Sequence, residues 1–204
     1  EIKFTPLFEP HNYQNLVNGC QHLKGPIVIC LKKSFYKNNT FNCYLLNKQE
    51  DIKSMPKIPK VTCKFKNNEG ELFYNHDSVG KIVEINKDTY HFIVDKKVIC
   101  SVVLDRTENY HKYDITYNDK QFHMHHPKLK KNQYHLNYNL IKTKTFGLES
   151  TKNFRLDDAF KKSVLECIKY KSKHLLIAFK EPFNIFIAVF IGIIRYRAPT
   201  KNVN

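Results

Sequence analysis

Ten apolar residues in a row, Ile185 to Ile194, stand near the end of this chain, with no charge until Arg195. They show no polar face at a period of 3.6 or of 2.0, so whatever they form is buried on every side. Pro182 suits the first position of a helix, where its missing N–H costs nothing. Arg195 and Arg197 place cations at the C-terminal end, and Pro199 stops the helix there. A membrane span needs about 20 apolar residues, and this run falls short. A buried strand is the other alternative, since β-branched and aromatic residues dominate. The stretch is predicted as a core helix over 182–197, wrapped by the rest of the chain.

What wraps it is read from the preceding 150 or so residues. After Gly25-Pro26, short segments of alternating or apolar residues recur every 8–12 residues or so, separated by turn clusters. Ile27–Lys33 and Phe41–Leu46 flank Lys37-Asn38-Asn39; Lys60–Lys66 and Glu71–Asn75 flank Asn67-Asn68-Glu69-Gly70. Val79–Ile85, Thr89–Val94, Val98–Leu104, His111–Tyr117, Gln121–His126 and Gln133–Leu140 continue the series, and Ser150–Leu156, Val164–Lys171 and His174–Phe179 complete it. No long helix precedes Pro182. About a dozen such strands make the chain mainly β, an antiparallel sandwich or barrel. A closed barrel of about twelve strands encloses more space than its own side chains fill. An apolar helix of about 16 residues, roughly 24 Å long, suits that interior. The expected organisation is an N-terminal extension over 1–25, loop-like or weakly helical, and one barrel domain over 26–204.

The formal net charge is +15, of which +5 lies in residues 1–102 and +10 beyond. Such a balance predicts attraction to polyanions, either nucleic acid or an anionic membrane surface. Six cysteines at 20, 30, 43, 63, 100 and 167 include no C-x-x-C pair, and several lie inside apolar runs. They read as buried free thiols in a reducing compartment. No secretory signal is visible, and a chain that starts at Glu1 is read as having lost an upstream segment.

The ordered motifs resemble the tubby C-terminal domain. Ile27–Lys33 followed by Phe41-Asn42-Cys43-Tyr44-Leu45-Leu46 is similar to that family's opening hairpin. Ser78-Val79-Gly80-Lys81-Ile82 with Thr89–Asp95 resembles its S-Y-I-G-K-L-R…G-T-x-F-x-V-Y-D segment. Phe146–Leu156 resembles F-x-G-R-V-T-x-A-S-V-K-N-F-Q-L, the most specific match. His174–Phe179 and the apolar stretch resemble the final strand and central helix. The match spans about 26–197, with a shortened lead-in at Phe179–Pro182 and Val83 where the family has Arg. The resemblance implies a closed antiparallel barrel of about 12 strands around a central C-terminal helix. Scramblase-like and LURP-one folds share that architecture.

The resemblance also implies a phosphoinositide-binding, membrane-associated adaptor, chiefly for a phosphatidylinositol 4,5-bisphosphate-type headgroup held in a basic site on the barrel wall. The family's basic cluster maps onto Lys64 and Lys66, the G-K-L-R lysine onto Lys81, and Lys32 and Lys33 stand in the neighbouring hairpin. Lys64 and Lys66 share one face of a strand, so both ammonium groups can converge on one headgroup. Lysine binds phosphate as a point charge, and Val83 in place of Arg implies altered selectivity. The expected location is cytoplasmic, peripheral at the inner face of the plasma membrane, with the nucleus as the alternative site. A trafficking complex or membrane cargo is the implied partner.

Lys128-Leu129-Lys130-Lys131 and Lys169/Lys171/Lys173 add to membrane attraction, about 1 kcal/mol per residue held near an anionic leaflet. His123, His125 and His126 lack the Cys or acidic partners that zinc requires. Asp157-Asp158 reads as a turn or helix cap. No P-loop, nucleophile elbow or Ser–His–Asp order is present. The chain is therefore expected to be non-enzymatic, with neither metal nor cofactor. The alternatives are a basic nucleic-acid-binding or transcription-linked module and a scramblase-like protein with 182–197 inserted in lipid.

Overall fold

The computed structural model describes residues 11–20, 25–34, 39–105, 112–130, 133–141, 150 and 153–197. Twelve strands close into one antiparallel barrel. They are β1 (Ile27–Lys33), β2 (Thr40–Leu46), β3 (Val61–Lys66), β4 (Glu69–Tyr74), β5 (Asp77–Asn86), β6 (Thr89–Val94), β7 (Lys97–Asp105), β8 (Lys112–Tyr117), β9 (Lys120–His125), β12 (Phe154–Asp157), β13 (Ser163–Lys171) and β14 (His174–Phe179). The order around the barrel is β1-β14-β13-β12-β9-β8-β7-β6-β5-β4-β3-β2, so the first strand pairs with the last. A separate small hairpin, β10 (Lys128–Lys130) and β11 (Gln133–His135), stands outside the ring. Gln133–Leu140, expected as one strand, pairs only in its first part. Phe146–Leu156, the most specific family match, lies outside the described residues except for Ser150 and 153–156.

Several sequential strands are joined by two-residue turns. Asn75-His76, Asp95-Lys96 and Asn118-Asp119 each have positive φ at both positions. That is the type I′ geometry whose twist matches antiparallel strands, and Asn and Asp tolerate it better than most residues.

Helix α2 (Ile185–Arg197) fills the barrel, and its residues from Ile185 to Arg195 are all buried. It begins after Asn184, not at Pro182. The Asn184 side-chain oxygen accepts hydrogen bonds from the backbone N–H of Phe186 at 3.0 Å and of Ile187 at 3.1 Å, an N-cap that fixes the start. Arg195 does more than sit near a helix dipole. It is buried inside the barrel and donates to the Tyr113 hydroxyl at 2.9 Å. Arg197 donates to Glu84 at 3.0 Å and lies 4.0 Å over the Phe65 ring. Among the described residues no helix is long and apolar enough to cross a membrane.

The helix leans on one side of its container. A Cβ on Gly192 would meet Ile177 Cδ1 at 2.7 Å and Leu31 Cδ2 at 2.8 Å, so glycine allows the axis to approach β14 and β1. Helix α1 (His11–Cys20) plugs one mouth. Val17 belongs to the core, and the Tyr13 ring lies 5.7 Å from Phe186 and 6.3 Å from Phe92. The Asn184 amide donates to the Tyr13 hydroxyl at 3.1 Å. Part of the 1–25 segment thus completes the barrel core.

The wall nearest α2 carries a second layer. A 3-10 turn, Gln49–Ser54, and residues 138–141 cover the outer face of β1, β2, β13 and β14, where Cys30, Leu46, Ile52, Ile141, Ile168, Leu176 and Ala178 form a second apolar cluster. Glu166, fully buried on β13, anchors that layer. Its carboxylate accepts from the backbone N–H of Asn139 at 2.6 Å, Leu140 at 2.7 Å and Ile141 at 2.8 Å, and from the Ser163 hydroxyl at 2.8 Å.

Candidate anion-binding wall

Pairing register decides which predicted lysines meet. On β3, Cys63 and Phe65 turn into the core while Lys64 and Lys66 alternate outward, so the two share a face. Lys64 stands opposite Thr40 of β2 and Glu71 of β4, and Lys66 stands opposite Glu69. Lys81 stands opposite Glu71, and its ammonium reaches Glu69 at 3.9 Å. Both partners of that pair are well exposed, so the contact is worth little in stability. It does place Lys81 among carboxylates, and Glu69 and Glu71 offset two of the three ammonium charges on this part of the wall.

The other side of β2 has no such offset. Lys32 stands opposite Asn42 of β2 and His174 of β14, and Lys171 of β13 also pairs with His174. Strands β1, β2 and β14 contain no acidic residue, and the one on β13, Glu166, is consumed by its backbone clasp. Thr40 and Asn42 therefore form a neutral, hydrogen-bonding strip, with Lys64 and Lys66 on one flank and Lys32, His174 and Lys171 on the other. Lys33 does not join them. It pairs with the core residue Phe41, which puts it on the inward face at the barrel's rim.

His174 is the centre of the basic flank. It is only 9% exposed, and its Nδ1 has no hydrogen-bond partner. Burial, followed by the charges of Lys32 and Lys171, pushes its pKa below the ordinary histidine value. The imidazole is thus neutral at pH 7, and a bound anion would counter the two lysine effects. Two lysines beside one buried histidine, with Lys64 and Lys66 across the Thr40/Asn42 strip, suit noncovalent capture of a multiply charged anion. The arrangement offers no activated nucleophile: burial raises the Cys30 and Cys167 thiols to about 12, which keeps them protonated.

The histidine strip on β9 has a different use. His125 Nε2 lies 3.1 Å from Asp157 Oδ2, which also accepts from Arg155 at 2.8 Å. Asp157 was expected as a turn or cap. It faces outward on β12, next to β9, and pairs there instead. The turn role falls to Asp158, whose side chain accepts from the N–H of Phe160 and of Lys162, each at 2.9 Å. Among the described residues no group of three or more His, Cys, Asp or Glu side chains could hold a metal ion.

His174 and Asn42 were not singled out by the sequence. Within one strand, H-L-L-I-A-F shows only an apolar run, and Asn42 only a polar gap. Their significance depends on β1 pairing with β14 across the closure, which no local pattern reports. Compared with known proteins, the chain matches no family model and no curated sequence.

Proposed function

We propose that the chain is a non-enzymatic, membrane-associated adaptor of the tubby-like kind that binds a phosphoinositide headgroup of the 4,5-bisphosphate type on this wall. One observation carries the reading: Lys32 and Lys171 stand beside His174, buried and with its Nδ1 unpartnered, next to the Thr40/Asn42 strip, with no carboxylate on β1, β2 or β14, while Lys64 and Lys66 stand on the far flank of that strip opposite Glu71 and Glu69. Point charges from several strands fit a headgroup with several phosphates better than a single one. Lys81 is a peripheral contributor, because Glu69 competes for it. The role that accompanies such binding is attachment of a trafficking complex or membrane cargo at the cytoplasmic face, through a surface other than this wall.

Liposome co-sedimentation at physiological salt tests the proposal. Phosphatidylcholine vesicles containing the bisphosphate lipid should retain the protein. Lys32→Ala/Lys171→Ala and Lys64→Ala/Lys66→Ala should each weaken binding by about tenfold or more, and Lys81→Ala by less. Retention that does not depend on the bisphosphate lipid overturns the headgroup reading. Binding to nucleic acid instead would show as a linear fall of log affinity with log salt, close to one unit per phosphate contact.

A further inference from the structure

The end of the barrel away from the anion wall holds a cavity. Strand β14 runs from His174, beside the wall, to Phe179, roughly 17 Å away. Just beyond Phe179, the lead-in to α2, the start of β7, the end of β8 and helix α1 enclose a space of about 500 Å³. That volume is within the range of small-ligand sites. Helix α1 contributes Tyr13 and Val17, the barrel Ile99 and Tyr117, and the lead-in Glu181 and Asn184.

Asn184 sets the geometry of this space. Its side-chain oxygen is taken up by the α2 cap, and its amide donates to the Tyr13 hydroxyl at 3.1 Å and to the Tyr117 hydroxyl at 3.3 Å. The two tyrosines are therefore joined through one buried side chain. The Tyr117 ring also stacks on Phe183 at 5.7 Å, and the Tyr13 ring packs on Phe186 at the same distance. Both rings are fixed before a ligand arrives, so little ordering is lost on binding. Burial raises both phenols above the ordinary tyrosine value, which keeps them neutral at pH 7.

Charge separates this site from the anion wall. The chain carries 34 Lys and Arg, yet none of them is among the described residues that line the cavity, where Glu181 alone is charged. Glu181 is exposed, and among the described residues no hydrogen bond or ion pair engages it. The first turn of α2 begins here, but the N–H groups of Phe186 and Ile187 are occupied by Asn184, which weakens the attraction of a helix start for anions. We propose that the cavity binds a small organic cation, an ammonium group carried on an apolar body. The body lies against Val17 and Ile99, while the ammonium meets the Tyr13 and Tyr117 rings and is countered by Glu181. Tyrosine rings attract cations through their faces. An occupant that touches both α1 and the barrel also clamps α1 over the mouth, so binding and the closure of α1 are linked.

Calorimetry at pH 7 with phenethylamine, and with phenethyl alcohol as its uncharged match, tests the proposal. The amine should bind with saturation and at least about fivefold more tightly than the alcohol. Glu181→Gln breaks no described contact of the fold; it should weaken the amine by about fivefold and leave the alcohol unchanged. Ile99→Phe should fill the space and abolish binding of both probes. The amine should also slow hydrogen exchange at the α1 amides, and this protection should be absent in Ile99→Phe. Equal affinity for amine and alcohol, or amine binding untouched by Glu181→Gln, overturns the cation site. Saturable amine binding that survives Ile99→Phe puts the ligand elsewhere and overturns it too, as does the absence of saturable amine binding. None of these outcomes depends on whether the opposite end of the barrel binds a phosphoinositide.

Discussion

Strands β6 and β14 have six residues each and line the same barrel, yet they are built differently. On β6, Tyr90, Phe92 and Val94 are buried, while Thr89, His91 and Ile93 face partly into water. On β14 all six residues from His174 to Phe179 are buried. The difference lies outside the barrel. β6 has solvent on its outer face, whereas β14 lies under the layer held by Glu166. Half of this barrel therefore behaves as an ordinary half-exposed sheet, and the other half as the middle layer of three, between α2 and the cover. Lys32, Lys171 and His174 of the basic wall stand on the covered strands β1, β13 and β14, whereas Lys64 and Lys66 stand on the half-exposed β3.

The largest effect should come from the clasp. Glu166→Ala strips the acceptor from three backbone N–H groups, of which that of Ile141 is buried and the other two part-buried, and should cost about 3 kcal/mol in urea denaturation. A loss below about 1 kcal/mol would show that the cover is not part of the cooperative fold. Next come two outward aliphatics. Leu176→Ala on β14 should cost about 2–4 kcal/mol, because its outward position is a core position, and Ile93→Ala on β6 less than about 1 kcal/mol. Equal costs would erase the distinction between the halves. Gly192→Ala probes the approach of α2 to the covered wall. Its methyl group would press on Ile177 and Leu31, and the crowding should outweigh alanine's better helix propensity by about 1 kcal/mol.

The smallest effect concerns His174. Its folded pKa is lowered, so the unfolded chain binds the proton more readily. This group's stabilisation is complete above the unfolded value near 6.5 and is lost as pH falls through the folded value. A histidine-resolved NMR titration should place its midpoint below that of an exposed histidine. Lys32→Met should move the midpoint up, since one cause of the shift is removed. An unmoved midpoint would mean that Lys32 does not face the imidazole in solution.

The alternation of β3, from Val61 to Lys66, was readable in the residues because one face meets water and the other meets α2. The apolar stretch from Ile185 to Ile194 was readable for the opposite reason, since nothing in it tolerates water. The cover was not legible. Leu176 looks the same in sequence whether a second layer or a neighbouring chain buries it, and Glu166 looks like a surface charge until three N–H groups are found around it. The start of α2 was misplaced by three residues, because proline's preference for a first turn yielded to the Asn184 cap. For the site, Lys64 and Lys66 follow from strand period alone. Separating Lys81 and Lys33 from them required knowing that Glu69 and Glu71 lie on the next strand and that Lys33 pairs with Phe41.

The pairing of β1 with β14 has a consequence for how the molecule is made. Emerging from a ribosome, β1 waits through nearly the whole chain with one edge unpaired, and only β14 can seal it. Helix α2 follows β14 in the chain yet ends inside the ring, so enclosure must be among the last events of assembly. Lys32 and His174 come from the two strands of that seam, so the anion wall exists only in a chain that has finished folding. Under the proposed function, engagement of lipid would double as a check on completeness, because partly made molecules carry the charge but not the site.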